Sequence, residues 1–160
     1  MQHRSRAWIV RRLRSLAALE LLNIPLQFVL WFGVVDLPLT TPNLIGFTLF
    51  AILLAEGATY WLLKLRQAPG SPLPGARGFV LARRCNVILL VAGLVFVGWA
   101  AAREPGAETV AGLVFVLAGV LEHVNYFHTQ LMYDTTADLQ YLFRRGLRRS
   151  HLARDLARSC

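Results

Sequence analysis

The stretch RRCNVILLVAGLVFVGWAAAR, residues 83–103, decides the fold. From Val87 to Ala102 it holds no charged or amide side chain. Those ~16 residues fall short of the ~20 that a helix needs to cross a ~30 Å hydrocarbon core, so the span must also take in Cys85 and Asn86. Three further apolar stretches of similar length lie around it. The spans predicted are residues 16–35, 44–65, 80–102 and 109–132. The chain is 56% hydrophobic, above the ~45–50% of soluble domains. The first stretch is too long, and too interrupted by Glu20, Asn23 and Pro25, for a cleaved signal peptide. The reading is an all-α protein, an integral membrane four-helix transmembrane bundle of two hairpins with a basic amphipathic C-terminal helix.

The basic residues set its orientation. Arg4, Arg6, Arg11, Arg12 and Arg14 precede the first span. Lys64, Arg66, Arg77, Arg83 and Arg84 flank the second connection, and Arg144, Arg145, Arg148, Arg149, Arg154 and Arg158 follow the fourth span. Only Arg103 lies at the opposite end. By the positive-inside rule, both termini are expected in the cytosol of a multi-pass protein of the cell (inner) membrane. The net charge of +8 is thereby explained by topology and by anionic inner-leaflet lipid, and not by nucleic acid. Cys85 and Cys160 both fall on the expected cytosolic side, where thiols stay reduced.

Three segments follow: residues 1–15, a basic N-terminal segment; 16–133, the transmembrane domain; and 134–160, a basic amphipathic tail. The hairpins are joined by Ala68-Pro69-Gly70-Ser71-Pro72-Leu73-Pro74-Gly75, which reads as a flexible linker. In the tail Leu139, Leu142, Phe143, Leu147, Leu152 and Leu156 recur at helical spacing among arginines. Such a segment is expected on the inner membrane surface, apolar face down, with Gly146 and Ser150 dividing it into two short helices. Glu56-x-x-Thr59-Tyr60-Trp61 and Glu122-x-x-Asn125-Tyr126-Phe127 match at an offset of 66 residues, which also sets Asn86 opposite Glu20. A duplicated hairpin and chance similarity both account for so short a match.

An ionisable group inside a span costs roughly 2.5–3.5 kcal/mol on insertion scales and is a functional-site hypothesis by default. Glu20, Asn23 and Gln27 share one face of the first helix, around Pro25. The second carries Glu56, Thr59 and Tyr60, and the third opens with Arg83, Arg84 and Asn86. On the fourth, Glu122, Asn125, Tyr126, Thr129 and Tyr133 form one stripe, with His123, Gln130 and Asp134 beside it. At ~1.5 Å per residue, Glu20, Glu56 and Glu122 lie roughly 8, 12 and 16 Å in from the cytosolic ends. The outer halves are almost purely apolar. The pattern implies a polar site in the cytosolic half, closed toward the outside. A structural polar network is the competing account.

Bis-histidine haem is disfavoured, because only His123 and His128 lie near a span and both are on one helix. A bundle di-iron site needs Glu-x-x-His, and here the fourth residue is Asn23, Thr59 or Asn125. A hard cation is compatible with the ligand types, but no spacing motif supports it, so no metal is assigned. Three classes remain. One is a bundle binding or transporting a small or lipid-like ligand, through Glu20, Asn23, Gln27, Glu56, Tyr60, Arg83, Asn86, Glu122, Asn125 and Tyr126. The second is a membrane-embedded enzyme acting on a lipid or isoprenoid-like substrate, with Glu122, Glu56 or His123 as acid or base. The third is an accessory subunit of a larger membrane complex. Four helices of this size also suit half of a homodimer. Arginines 83 and 84 favour an anionic ligand if they face the bundle, and report only topology if they snorkel to the head groups.

Overall fold

A computed structural model describes residues 6–68, 70–132, 140, 142–144 and 146–159. Helix α1 runs Arg6–Phe28 and continues as a π-helical segment, Val29–Val34. Helices α2 (Thr41–Arg66), α3 (Ala76–Arg103) and α4 (Ala107–Phe127) follow, and a short α5 (His151–Ser159) ends the described chain. Four of these elements, α1 with its π-helical extension and α2 to α4, are long and apolar enough to cross a membrane. The chain is an all-α, four-helix membrane bundle. The observed spans start earlier than the apolar runs, because basic first turns continue α1 and α3 beyond the hydrocarbon-like residues.

Local chemistry fixes the ends. The main chain after α1 widens, with Leu37 N–H reaching the Trp31 carbonyl at 3.1 Å, and Asp36 stops it in the left-handed region at φ 59°. Thr40 caps α2, accepting from Asn43 N–H, with Pro42 in the first turn. Gly75, at φ 75°, turns the chain into α3.

Helices α2 and α4 form the central pair, with α1 packed mainly on α2 and α3 on both. The central pair closes at Gly46 and Gly112: a Cβ on Gly46 would overlap the Gly112 carbonyl, and one on Gly112 the Pro42 carbonyl. These two glycines are 66 residues apart, the offset that relates the Glu-x-x-x-Tyr motifs. Above this crossing Phe32, Phe47, Phe50 and Phe115 form an aromatic core, with Trp31 edge-on to Phe115. The outward faces of α1 and α3 expose Leu19, Leu22, Leu26, Ile88, Val91 and Val95, a belt that only hydrocarbon would leave unpenalised.

Two expectations are corrected here. The tail does not turn its whole apolar face to lipid: Leu152 and Leu156 are buried in the core with Tyr60, Phe79 and Phe127. Protein rather than lipid covers them because Asp155 reaches into the bundle, accepting from Tyr60 Oη at 2.8 Å and Lys64 Nζ at 2.6 Å. Phe143 and Leu147 do remain exposed. Nor is the connection between the hairpins loose: Leu73 is buried and its N–H donates to Ser159 Oγ at 3.0 Å. Leu139 lies outside the described residues.

The end remote from the basic residues is not purely apolar either. Asn43, fully buried, donates to the Pro38 and Ala107 carbonyls at 2.9 and 3.0 Å and accepts from Gly112 N–H at 2.8 Å. Thr40 Oγ1 donates to the Glu108 carbonyl beside it. Asn43 lies one residue before the apolar run that begins at Leu44, inside the first turn of α2.

Candidate binding site at the basic end of the bundle

Helix α4 stops at Phe127, one turn before its apolar pattern does. The reason is Asn125, whose Oδ1 accepts from Leu131 N–H at 2.8 Å and Met132 N–H at 3.3 Å and pulls the chain back across the helix end. Thr129 and Gln130 are consequently not on the α4 stripe, and Tyr133 and Asp134 lie outside the described residues. Glu122 is then five residues from the helix end, roughly 8 Å rather than 16 Å. The returned chain pairs with the segment before α5: Thr129 bridges Arg149, Gln130 N–H donates to the Arg148 carbonyl at 2.9 Å, and Ser150 N–H to the His128 carbonyl at 3.1 Å. Ser150 caps α5, its Oγ accepting from Ala153 N–H at 3.1 Å while donating to the Tyr126 carbonyl. Helix α5 begins directly after Ser150, as the sequence suggested.

This arrangement encloses a cavity of about 460 Å³ between α1, α2, α4 and the returning chain. Its inner wall is Glu20, Tyr60, Asn125 and Tyr126, its apolar wall includes Trp8, Leu13, Leu16 and Leu152, and Arg12, Lys64, Arg148 and His151 stand around it. Tyr126 Oη donates to Glu20 Oε1, joining α4 to α1. The Tyr126 ring lies where any side chain on Gly57 would be, so α2 leaves room for the pair by having none. Tyr60 is turned toward Asp155 from the same wall. Arg148 donates through Nε to Gln130 Oε1 at 2.9 Å, and Arg154 Nη2 lies 3.1 Å from His151 Nδ1. Partial burial, then the charges of Arg154 and Arg148, push the His151 imidazole down to about 4.

The remaining sequence candidates lie elsewhere. Glu56 accepts from the buried Asn86 at 2.6 Å, a pair that ties α2 to α3. Glu122 accepts from Asn125 at 3.3 Å on its own helix, close enough to Glu20 for their charges to interact. Asn23, Gln27 and Trp31 form a ladder along α1, Gln27 donating to Asn23 at 3.2 Å and accepting from Trp31 at 2.9 Å. His123 is buried against Phe127, their ring centroids 5.0 Å apart, with both ring nitrogens unpartnered among the described residues. Arg83 and Arg84 line a different cleft. Of the ten ligand candidates, the cavity thus gathers Glu20, Tyr60, Asn125 and Tyr126. The place of Lys64, Ser150, His151 and Asp155 at or beside this wall was not among the sequence candidates. Ser150 before a leucine-periodic segment is a capping signal; a single aspartate in a basic tail carries none.

Among the described residues no three His, Cys, Asp or Glu side chains converge as a metal-holding group. No family model matches the chain, and no curated protein or solved structure is detectably similar to it.

Proposed function

We propose that this is a cell-membrane protein, both termini in the cytosol, that binds a lipid-like ligand in the Glu20 cavity. The observation that carries the reading is the Glu20–Tyr126 pair set in the wall of a partly apolar cavity at the basic end of the bundle. A carboxyl held by a phenol between two spans is costly unless something uses it. The apolar wall of α1 suits a hydrocarbon chain, while Glu20, Asn125 and Tyr126 suit a head group that donates and accepts hydrogen bonds. The distribution of arginine supports the orientation.

A membrane-embedded enzyme is the second reading, and the same pair favours it: a carboxyl and a phenol in hydrogen-bond contact are equipped to exchange a proton with a substrate. For either reading the site is reached from the inner leaflet or the cytosol.

Native mass spectrometry of the protein released from its own membranes tests the proposal. A co-purifying amphiphile is expected with the unaltered chain and is expected to be lost from Glu20→Gln and Tyr126→Phe, with both variants eluting as folded protein. An unchanged bound complement in both variants would refute the assignment of the site. Turnover of the retained molecule by the unaltered protein would select the enzyme reading.

A further inference from the structure

On the other side of the returning chain, α3 and α5 border a second cleft, about 870 Å³ in volume. Among the described residues it shares no lining residue with the Glu20 cavity. Arg83 and Arg84 enter it from α3, and His128 and Arg149 from the paired segment opposite. The rest of the lining is apolar or small, including Val80, Val87, Phe127 and Leu156. Three guanidiniums gathered from two parts of the chain repel one another. No described acidic side chain pairs with any of them. Snorkelling to the membrane surface accounts for arginines that spread apart; it does not account for Arg149 being turned to the same cleft by a backbone bridge to Thr129.

The surroundings narrow the chemistry. The cleft carries concentrated positive charge, and the same positive field, after burial, lowers the His128 imidazole from its ordinary value through Arg83. One edge of the cleft, at Val87, runs into the exposed apolar face of α3 at Ile88 and Val91. An anion able to satisfy several guanidiniums at once, attached to hydrocarbon that continues along a membrane-facing helix, matches both features. Guanidinium forks suit phosphate oxygens, which accept paired hydrogen bonds.

We propose that this cleft is a separate site for the phosphate group of an anionic phospholipid, held by Arg83, Arg84 and Arg149, with its chain lying along Val87 and the outer face of α3. The proposal stands independently of the Glu20 cavity.

The test is native mass spectrometry of the full-length protein in detergent, titrated with phosphatidate, phosphatidylglycerol, phosphatidylcholine and inorganic phosphate. Phosphatidate and phosphatidylglycerol are expected to bind, and phosphatidylcholine to bind far less. The double variant Arg83→Gln/Arg149→Gln is expected to weaken the anionic lipids by at least ~10-fold, the loss of one charge-assisted contact. The pair Arg144→Gln/Arg158→Gln, which removes the same charge from arginines that do not line the cleft, is expected to leave them unchanged. Ala157→Phe narrows the cleft without altering charge and is expected to weaken the anionic lipids. Equal weakening in both charge-removing pairs would overturn the site in favour of a diffuse field. Binding of inorganic phosphate as tight as that of phosphatidate would overturn the lipid as the source of the phosphate. Lipid binding undiminished in Ala157→Phe would refute the cleft.

Discussion

Asn43→Ala is expected to be among the most damaging single changes in the bundle, although Asn43 lies far from either cavity. The amide makes three hydrogen bonds, to the Pro38 and Ala107 carbonyls and from Gly112 N–H, all between 2.8 and 3.0 Å. They tie the α1–α2 connection and the start of α4 to α2, next to the Gly46–Gly112 contact. A net hydrogen bond contributes ~0.5–1.5 kcal/mol in soluble proteins, and side-chain bonds between membrane helices average ~0.6 kcal/mol. Three bonds therefore total roughly 2–4 kcal/mol, weighted upward because alanine takes the side-chain acceptor from the buried Gly112 N–H. That is a ~30-fold to nearly ~1,000-fold change in the unfolding equilibrium. The measurement is reversible unfolding from mixed micelles, followed by tryptophan fluorescence as the denaturing detergent fraction rises. Leu44→Ala is the control: Leu44 is the next residue along α2 and is 38% exposed. If Asn43→Ala lies within ~0.5 kcal/mol of Leu44→Ala, an amount ordinary for surface changes, the amide is not a clamp and the reasoning fails.

Other expectations concern the tail. Asp155→Ala leaves the Lys64 ammonium and the Tyr60 hydroxyl without their partner; since Lys64 keeps 28% exposure, a cost of ~1–3 kcal/mol is expected, below that of a fully buried pair. It should appear as faster amide exchange throughout α5 while exchange in α2 and α4 is unchanged. Docking of α5 is also expected to depend on pH. Burial first, and then the charges of Arg154, Arg148 and Lys64 with Asp155 opposing them, hold His151 neutral, and His128 is shifted in the same direction by burial and Arg83. A histidine lowered in the docked state binds more protons when released, so docking is fully present above about 6.5 and weakens as pH falls toward 4. Amide exchange of α5 between pH 4 and 7, after correction for intrinsic rates, checks this, and His151→Gln should flatten most of the dependence.

The bundle was legible because apolar length is a one-dimensional signal and each span carries it alone. The polar residues were legible as a set but not as partners. Glu20, Glu56 and Glu122 look alike in sequence, yet one faces a phenol, one an amide on α3 and one its own helix. Which partner each meets depends on helix rotation, and that is decided by glycines. Gly57 admits the Tyr126 ring and Gly46 admits Gly112, and neither absence of a side chain registers in a hydropathy reading. The early end of α4 was hidden for a similar reason: Asn125 looked like another polar group on a helical stripe, whereas its carbonyl serves the backbone beyond the helix. The two motifs at the 66-residue offset make different partners: Tyr60 meets Asp155, whereas Tyr126 meets Glu20.

The two cavities stand back to back across one short antiparallel pairing, and alternation along extended chain separates their linings: Thr129 and Arg149 belong to the cleft, Gln130, Arg148 and Ser150 to the Glu20 cavity. Neighbouring residues of such a segment point to opposite faces, so register alone assigns each arginine. A slip of a single residue would trade Arg148 for Arg149 and give each compartment the other's charge. One residue inserted between Arg148 and Arg149 would rewrite that coding while leaving both arginines in the chain.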